Sequence, residues 1–408
     1  MLHEEAVLLA RHLAVAALAF SLVPAVALAD ATGDLAQKPG PTGCFSSAGA
    51  DECTAARGLL VAEAVATSPD GRNVYAAGSG SNAVAVFDRG ADGALTQKEG
   101  AAGCVSLLGL GPCAAGTAIA GANSVTVSPD GRNVYAAGFL SGAVAVFDRA
   151  DDGTLTQKPG SAGCVSALPP CSAGKAIVGP EAVVVSPDGR SLYVASTFSG
   201  AVAVFDRSAD GTLTQKPGQA GCISDTGLGP CADGSALDGA ASVSVSPDGR
   251  SVYAAAINSG AVTVFDRAAD GTLTQKPGQA GCTSEAGTAP CSGGPGLGGA
   301  AWVTVSPDGR NAYVASFESA AVAVFDRGGS GELTQKPGTA GCLGKNAACS
   351  PGRALDGALA VTVSPDGRSV YATGSVNDAV AAFDRGADGT LAQKSGPAGC
   401  ISETGAGG

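Results

Sequence analysis

Short apolar runs alternate with polar turns along the whole chain, and residues 183–218 show the pattern in full. Val183-Val184-Val185 is β-branched and apolar, and Ser-Pro-Asp-Gly-Arg follows it. Proline presets φ at the first central position of a turn, and Asp and Gly tolerate the rest of a tight reversal. A second strand is predicted over 191–196, a polar loop over 197–200, a third strand over 201–205 and, after an Asp-Gly turn, a fourth over 213–216. Turn signals roughly every ten residues leave no room for helices of ordinary length. The same phrase is written six times. Its proline recurs at Pro69, Pro129, Pro187, Pro247, Pro307 and Pro365, at intervals of 60, 58, 60, 60 and 58 residues. A fixed period with four strand-length pieces per copy is a repeat architecture.

The third strand narrows the choice of architecture. Ala-Val-Ala-Val-Phe puts Ala201, Ala203 and Phe205 on one face and Val202 and Val204 on the other. Both faces are apolar and both must be covered. A four-stranded antiparallel sheet cannot cover itself, but six such sheets stacked face to face in a closed ring can, so the pattern predicts an all-β propeller of six blades. The ends complicate closure. Leu35-Ala36-Gln37-Lys38 reads as a fourth strand ahead of any first strand, and the last copy has its own at Leu391-Ala392-Gln393-Lys394. The alternative is a seven-bladed ring with one incomplete blade.

Residues 1–29 stand outside the repeat. Leu13 to Val23 is an apolar run too short to span a bilayer, Arg11 and His12 precede it, and Ala27-Leu28-Ala29 offers small residues for cleavage. They read as a secretory signal, with residues 30–408 forming one propeller domain and no later segment able to span a membrane. Losing Arg11, Glu4 and Glu5 moves the net charge from −12 to −11, and His3 and His12 leave with the leader. The remaining bases are mostly the repeated arginines and lysines and do not cluster, which excludes nucleic acid as a partner.

Cysteine follows the repeat. Cys44/Cys53, Cys104/Cys113, Cys164/Cys171, Cys222/Cys231, Cys282/Cys291 and Cys342/Cys349 lie in successive segments that join a fourth strand to the next first strand. With a secretory leader they read as six local disulfides in a secreted or periplasmic protein, leaving Cys400 over. Zinc is the rival reading, disfavoured because the spacing is not Cys-x-x-Cys and no histidine remains. No metal site and no cofactor is expected.

Candidate function lies where the copies differ. Six residues before each repeat proline stand Glu63, Asn123, Glu181, Ala241, Ala301 and Leu359, which begin the innermost strands and would ring one channel mouth. Glu63, Asn123 and Glu181, with Trp302 beside Ala301, form a candidate small-ligand or cation site. The loops after the second strands carry Phe139, Leu140, Phe198, Ile257, Phe317 and Glu318, beside acidic connecting segments with Asp225, Asp233 and Asp238. Apolar tips on an acidic face suit a protein or glycan partner bound by a monomer.

Ser-Pro-Asp-Gly-Arg-x-Val-Tyr-Val-Ala followed by Ala-Val-Ala-Val-Phe-Asp-Arg resembles the YVTN-type repeats and the lactonase-like β-propeller family, over Leu35 to Gly399. The resemblance implies a seven-bladed fold, and some members open sugar lactones or close muconate rings with His, Arg and Glu side chains at the channel mouth. Without histidine, the expectation here is a secreted non-catalytic propeller that binds a protein, glycan or small ligand. The alternative is a lactonase-like hydrolase of small lactones using Glu63, Glu181 and Arg57.

Overall fold

The computed structural model describes residues 33–403 apart from 50–51, 110, 226 and 228–229. The expected leader lies outside the described residues, and the propeller unit begins at Leu35. Six blades follow one another, each an antiparallel meander with its first strand innermost. In the third blade these strands are Pro180–Val185, Ser191–Ser196 and Ala201–Arg207. Each innermost strand packs beside the next around a common axis.

The outer edge of each blade is richer than a single fourth strand. Leu213–Gln215 pairs with the far half of the third strand, Phe205 opposite Gln215. After a short 3-10 turn, Cys222–Ser224 pairs with the near half, Ala201 opposite Ser224. A last short strand, Ala232–Asp233, runs parallel to it.

All six expected disulfides are formed, as Cys44–Cys53, Cys104–Cys113, Cys164–Cys171, Cys222–Cys231, Cys282–Cys291 and Cys342–Cys349. Their setting corrects the expectation of plain connecting segments. In five pairs the first cysteine opens an edge strand, and in all six the second stands immediately before the short parallel strand. Cys53, Cys113, Cys171, Cys231, Cys291 and Cys349 therefore tie the end of each excursion back to the sheet edge, and they belong to the blades rather than to free loops. The reason is the parallel pairing: two neighbouring strands running the same way need a return connection, and the cystine closes it. Cys53, Cys113 and Cys171 are half-buried, whereas Cys231, Cys291 and Cys349 are buried. Each bridge spans a sequence separation of seven or nine residues, which is worth about 2–3 kcal/mol by the chain-entropy estimate.

Blades are joined by one repeated clamp. Arg207, in the third strand of blade three, donates from Nε to the Tyr135 hydroxyl of blade two at 2.7 Å. Its Nη2 reaches both Asp130 carboxylate oxygens, at 2.8 and 3.0 Å. Tyr135 donates in turn to the Gly211 carbonyl at 2.8 Å. Arg149, Arg267, Arg327 and Arg385 repeat the arginine–tyrosine contact at 2.7–2.8 Å. The Asp-Arg pairs of the two turn phrases are thus inter-blade contacts. The guanidinium is almost fully buried while its aspartate stays about 40% exposed, so the fork is held by the tyrosine and carbonyl acceptors as well as by charge.

The ring differs from the expected closed circle between its first and last blades. Val125, Val183, Val243, Val303 and Val361 hold one slot of the innermost strand and are 1–6% exposed, whereas Val65 in blade one is 73% exposed. Arg89, the clamp arginine of blade one, is exposed. Its guanidinium donates to the Gly71 carbonyl of its own blade at 3.4 Å and, among the described residues, meets no tyrosine. The outer half of that face is covered. A short parallel pair, Phe45–Ser46 with Thr54–Ala55, precedes blade one and carries the Cys44–Cys53 bridge. Phe45 packs edge-on against Phe87 at 5.1 Å, and Ala56 joins the same cluster. This fragment has the form of a blade's outer edge, and among the described residues no inner strands accompany it. Residues 35–38 form no strand, so blade six keeps its own edge strand, Leu391–Gln393.

Candidate functional site

The residues that vary between copies are presented by a β-bulge. In blade three, Pro180 pairs with Ser196 and Ala182 with Ala195, so Glu181 is the extra residue between them. The same irregularity falls at Glu63, Asn123, Ala241, Ala301 and Leu359. A bulge re-aims the side chain it inserts, and here it does so at one end of every innermost strand. The turn into the bulge needs the left-handed region. Gly179 has φ +65°, and a Cβ there would come within 2.8 Å of the Phe198 ring. Blade one places Val61 in that slot at φ +52°, a costly conformation for a β-branched residue.

Two adjacent blades bring polar side chains together at this mouth. Asn123 donates from Nδ2 to Glu181 Oε2 at 3.4 Å, and the Thr197 hydroxyl reaches the same oxygen at 3.5 Å. Burial pushes the Glu181 carboxyl above the ordinary glutamate value, against the hydrogen bonds from Asn123 and Thr197, and the nearby Glu63 charge pushes it further up. Glu63 itself is exposed and accepts a hydrogen bond from Ser79 at 3.0 Å. Ser79 and Thr197 occupy one repeat slot, ten residues after the proline. The sequence shows that slot varying, but not that it folds back onto the bulge.

The other half of the mouth is apolar. Ala241 and Ala301 are buried, and Leu359 is 42% exposed. Trp302 is not brought to the acidic residues. It pairs with Ala315 and packs, half-buried, on the cluster of Tyr313, Leu355 and Val361 between blades five and six. Arg57 also lies elsewhere, with Nη2 donating to the Lys98 and Gly100 carbonyls at the outer edge of blade one.

Of the loop residues, Leu140, Phe198, Phe317 and Glu318 are exposed, while Phe139 and Ile257 are half-buried. Phe139 and Phe198 contact at 5.2 Å across blades two and three. They line a cleft of about 340 Å³ with Leu140, Leu168 and Val178. A second cleft, of about 510 Å³, has Phe198, Ser224, Asp225 and Asp238 in its wall. Cys231 borders this second cleft, but the cystines as a set hold the blade edges, away from the bulges on the innermost strands. Among the described residues, no helix is long and apolar enough to cross a membrane.

Comparison with known proteins bears on this geometry. A model of the lactonase seven-bladed β-propeller family matches residues 117–220 and 175–283. The 6-phosphogluconolactonase of Enterobacter sp. (strain 638) is 29% identical over 154 residues, which is 38% of this chain and 41% of that protein. The match therefore spans about two fifths of that relative. Among solved structures, the periplasmic gluconolactonase of Pseudomonas aeruginosa has a TM-score of 0.56 at 20% identity, covering 81% of this chain and 84% of its own. A protein from Lactobacillus plantarum has a TM-score of 0.54 at 20% identity, covering 80% and 82%. The resemblance to lactonase-like propellers holds, and these structures share the fold. The expectation of a non-catalytic binding propeller is corrected: the named relatives are lactonases, which favours the hydrolase alternative.

Proposed function

Taking the lactonase-like propeller as the premise, we propose that this protein hydrolyses small lactones at the channel mouth, with Glu181 as general base. The observation that carries the reading is a half-buried carboxyl with a raised pKa, bulged into the mouth and hydrogen-bonded by Asn123. Perturbed carboxyls in concave sites are functional candidates, and a base works best when its pKa approaches the working pH. Ionised Glu181 takes a proton from water as the oxygen adds to the lactone carbonyl. The ring C–O bond then breaks, and the alkoxide leaves with the proton that Glu181 had accepted. Lactone and water are consumed and one hydroxy acid is formed. Asn123 orients the carboxylate through Nδ2. No histidine is needed, because glutamate supplies both proton transfers.

Six disulfides and the likeness to a periplasmic protein support an oxidising compartment, periplasmic or extracellular. The test is glucono-δ-lactone opening followed in a pH-stat against the spontaneous rate. Wild-type protein should exceed that rate, and Glu181→Gln should lose about 10²–10⁴-fold of the increment. A rate equal to buffer alone, or one indifferent to Glu181→Gln, removes the proposal.

A further inference from the structure

The distribution of charge along each strand bears on which lactone the mouth would take. The third strand starts beside the mouth, where Ala83 pairs with Gly78, and ends at Asp88 and Arg89 on the opposite face. Every clamp arginine therefore lies away from the mouth. The repeated lysines lie there too, paired with the strand-end aspartates, as Lys158 with Asp148 at 2.7 Å and Lys216 with Asp206 at 2.7 Å. The arginine of each Ser-Pro-Asp-Gly-Arg turn is at that far end as well.

Four basic residues remain in the connecting segments, and the structure engages or displaces each. The Arg57 guanidinium donates to carbonyls at an outer edge. Lys345 pairs with Asp356 at 2.6 Å. The backbones of Lys175 and Arg353 are hydrogen-bonded to Gln215 and Gln393 in the outer edge strands of their blades. Among the described residues, none pairs with Glu63 or Glu181, and Lys345 is taken up by Asp356, in the slot that Asp238 holds in blade four. The charged bulge residues are Glu63 and Glu181, and the flanking connections add Asp225, Asp238, Glu285 and the Asp356–Lys345 pair.

A phosphate ester needs a guanidinium, an ammonium or a cradle of amides to offset its charge. Here it would instead approach two carboxylates. We infer that the mouth takes lactones without an anionic substituent and rejects their phosphate esters, with Glu63 as the residue that sets this selection. The inference rests on the hydrolase reading. Glu63 is the natural determinant because it is exposed at the rim, held by Ser79, and separate from the Asn123–Glu181 contact. The chemical class is an unphosphorylated sugar lactone, whose hydroxyls suit the polar half of the mouth while its C–H face lies towards Ala241, Ala301 and Leu359.

The experiment compares kcat/KM for glucono-δ-lactone and its 6-phosphate. Like charges brought together at an interface cost several kcal/mol, so the wild type should favour the neutral lactone by about 100-fold. Glu63→Lys should shrink that ratio by about tenfold or more, chiefly through the phosphate ester, and circular dichroism should confirm that the variant is folded. A wild-type ratio near one, or a ratio unmoved in Glu63→Lys, overturns the inference. Calorimetry with the non-hydrolysable lactam and its 6-phosphate separates it from the activity itself. Lactam binding that excludes the phosphate, without lactone turnover, would sink the hydrolase and leave the charge selection standing. Equal binding of the two, or binding of neither, counts against the selection.

Discussion

Arg207 and Arg89 are the same letter of the same repeated phrase, yet they live in different physical worlds. Arg207 is buried between blades two and three, with Tyr135, Asp130, Asn133 and Gly189 all accepting from its guanidinium. Arg89 lies on the side of blade one that no inner strand covers among the described residues, and its exposed guanidinium makes one long hydrogen bond there. Val125 and Val65 repeat the contrast in apolar form. A repeat unit specifies what it can offer, and its neighbour decides whether the offer is used. The consequence is a structure whose cohesion is concentrated in five interfaces, while the free side of blade one shows, among the described residues, neither the clamp nor a buried valine.

The largest expected effect is on the clamp. Arg207→Ala deprives buried Tyr135 and Asn133 of a charged donor while Asp130 stays partly solvated, and with hydrogen bonds to charged groups at about 1.5–3 kcal/mol the loss should be about 3 kcal/mol. Arg89→Ala should stay within about 0.5 kcal/mol, as surface substitutions do. Urea midpoints for the two variants check this. Similar losses in both would mean that blade one is clamped in solution after all. The next effect is smaller. Val125→Ala removes two methyl groups from the cluster of Tyr75, Val84 and Phe147 and should cost about 2 kcal/mol, while Val65→Ala should cost almost nothing. Equal costs would show that Val65 is covered.

Much of this was legible beforehand because it repeats. Four copies of Ala-Val-Ala-Val-Phe and two near copies demand two covered faces, and that alone leads to blades. The paired cysteines could be read from their spacing and recurrence in every repeat. What the sequence hid was relational. Nothing in Arg89 or Val65 says that its neighbour is absent, since their letters match those of the buried copies. The segments ending at Cys113, Cys171, Cys291 and Cys349 looked like loops because two- and three-residue strands carry no periodicity. At the mouth, counting from the proline found Glu63, Asn123 and Glu181, but Trp302 was placed with them by adjacency in sequence. The strand period sends it to the blade five–six interface instead. Ser79 and Thr197 were missed as partners because a contact between a bulge and a loop sixteen residues later has no local signature.

The smallest effect compares the two mouth glutamates, one beside a complete interface and one beside the open side. Glu181 is half-buried between blades two and three, and its carboxyl titrates above the ordinary glutamate value. Below that ordinary value the group is protonated in both folded and unfolded chains and costs nothing. As pH rises through the folded value, the native chain must ionise a carboxyl short of water while the unfolded chain does so freely, so stability is lost. The clamp aspartates act in the opposite sense. Asp70 is held down at about 2 by the Ser68 hydroxyl and the Arg72 amide, with Arg149 adding to them. Its contribution is present above the ordinary aspartate value and fades as pH falls towards 2. Glu181→Gln removes only the first of these terms. The variant should therefore gain stability relative to wild type between pH 4 and pH 8, while Glu63→Gln, which removes only the neighbouring charge that adds to the Glu181 shift, should gain less. Urea midpoints of the three proteins across that range decide the matter, and a Glu181→Gln difference that does not change with pH would mean that this carboxyl is as well solvated as its counterpart on blade one.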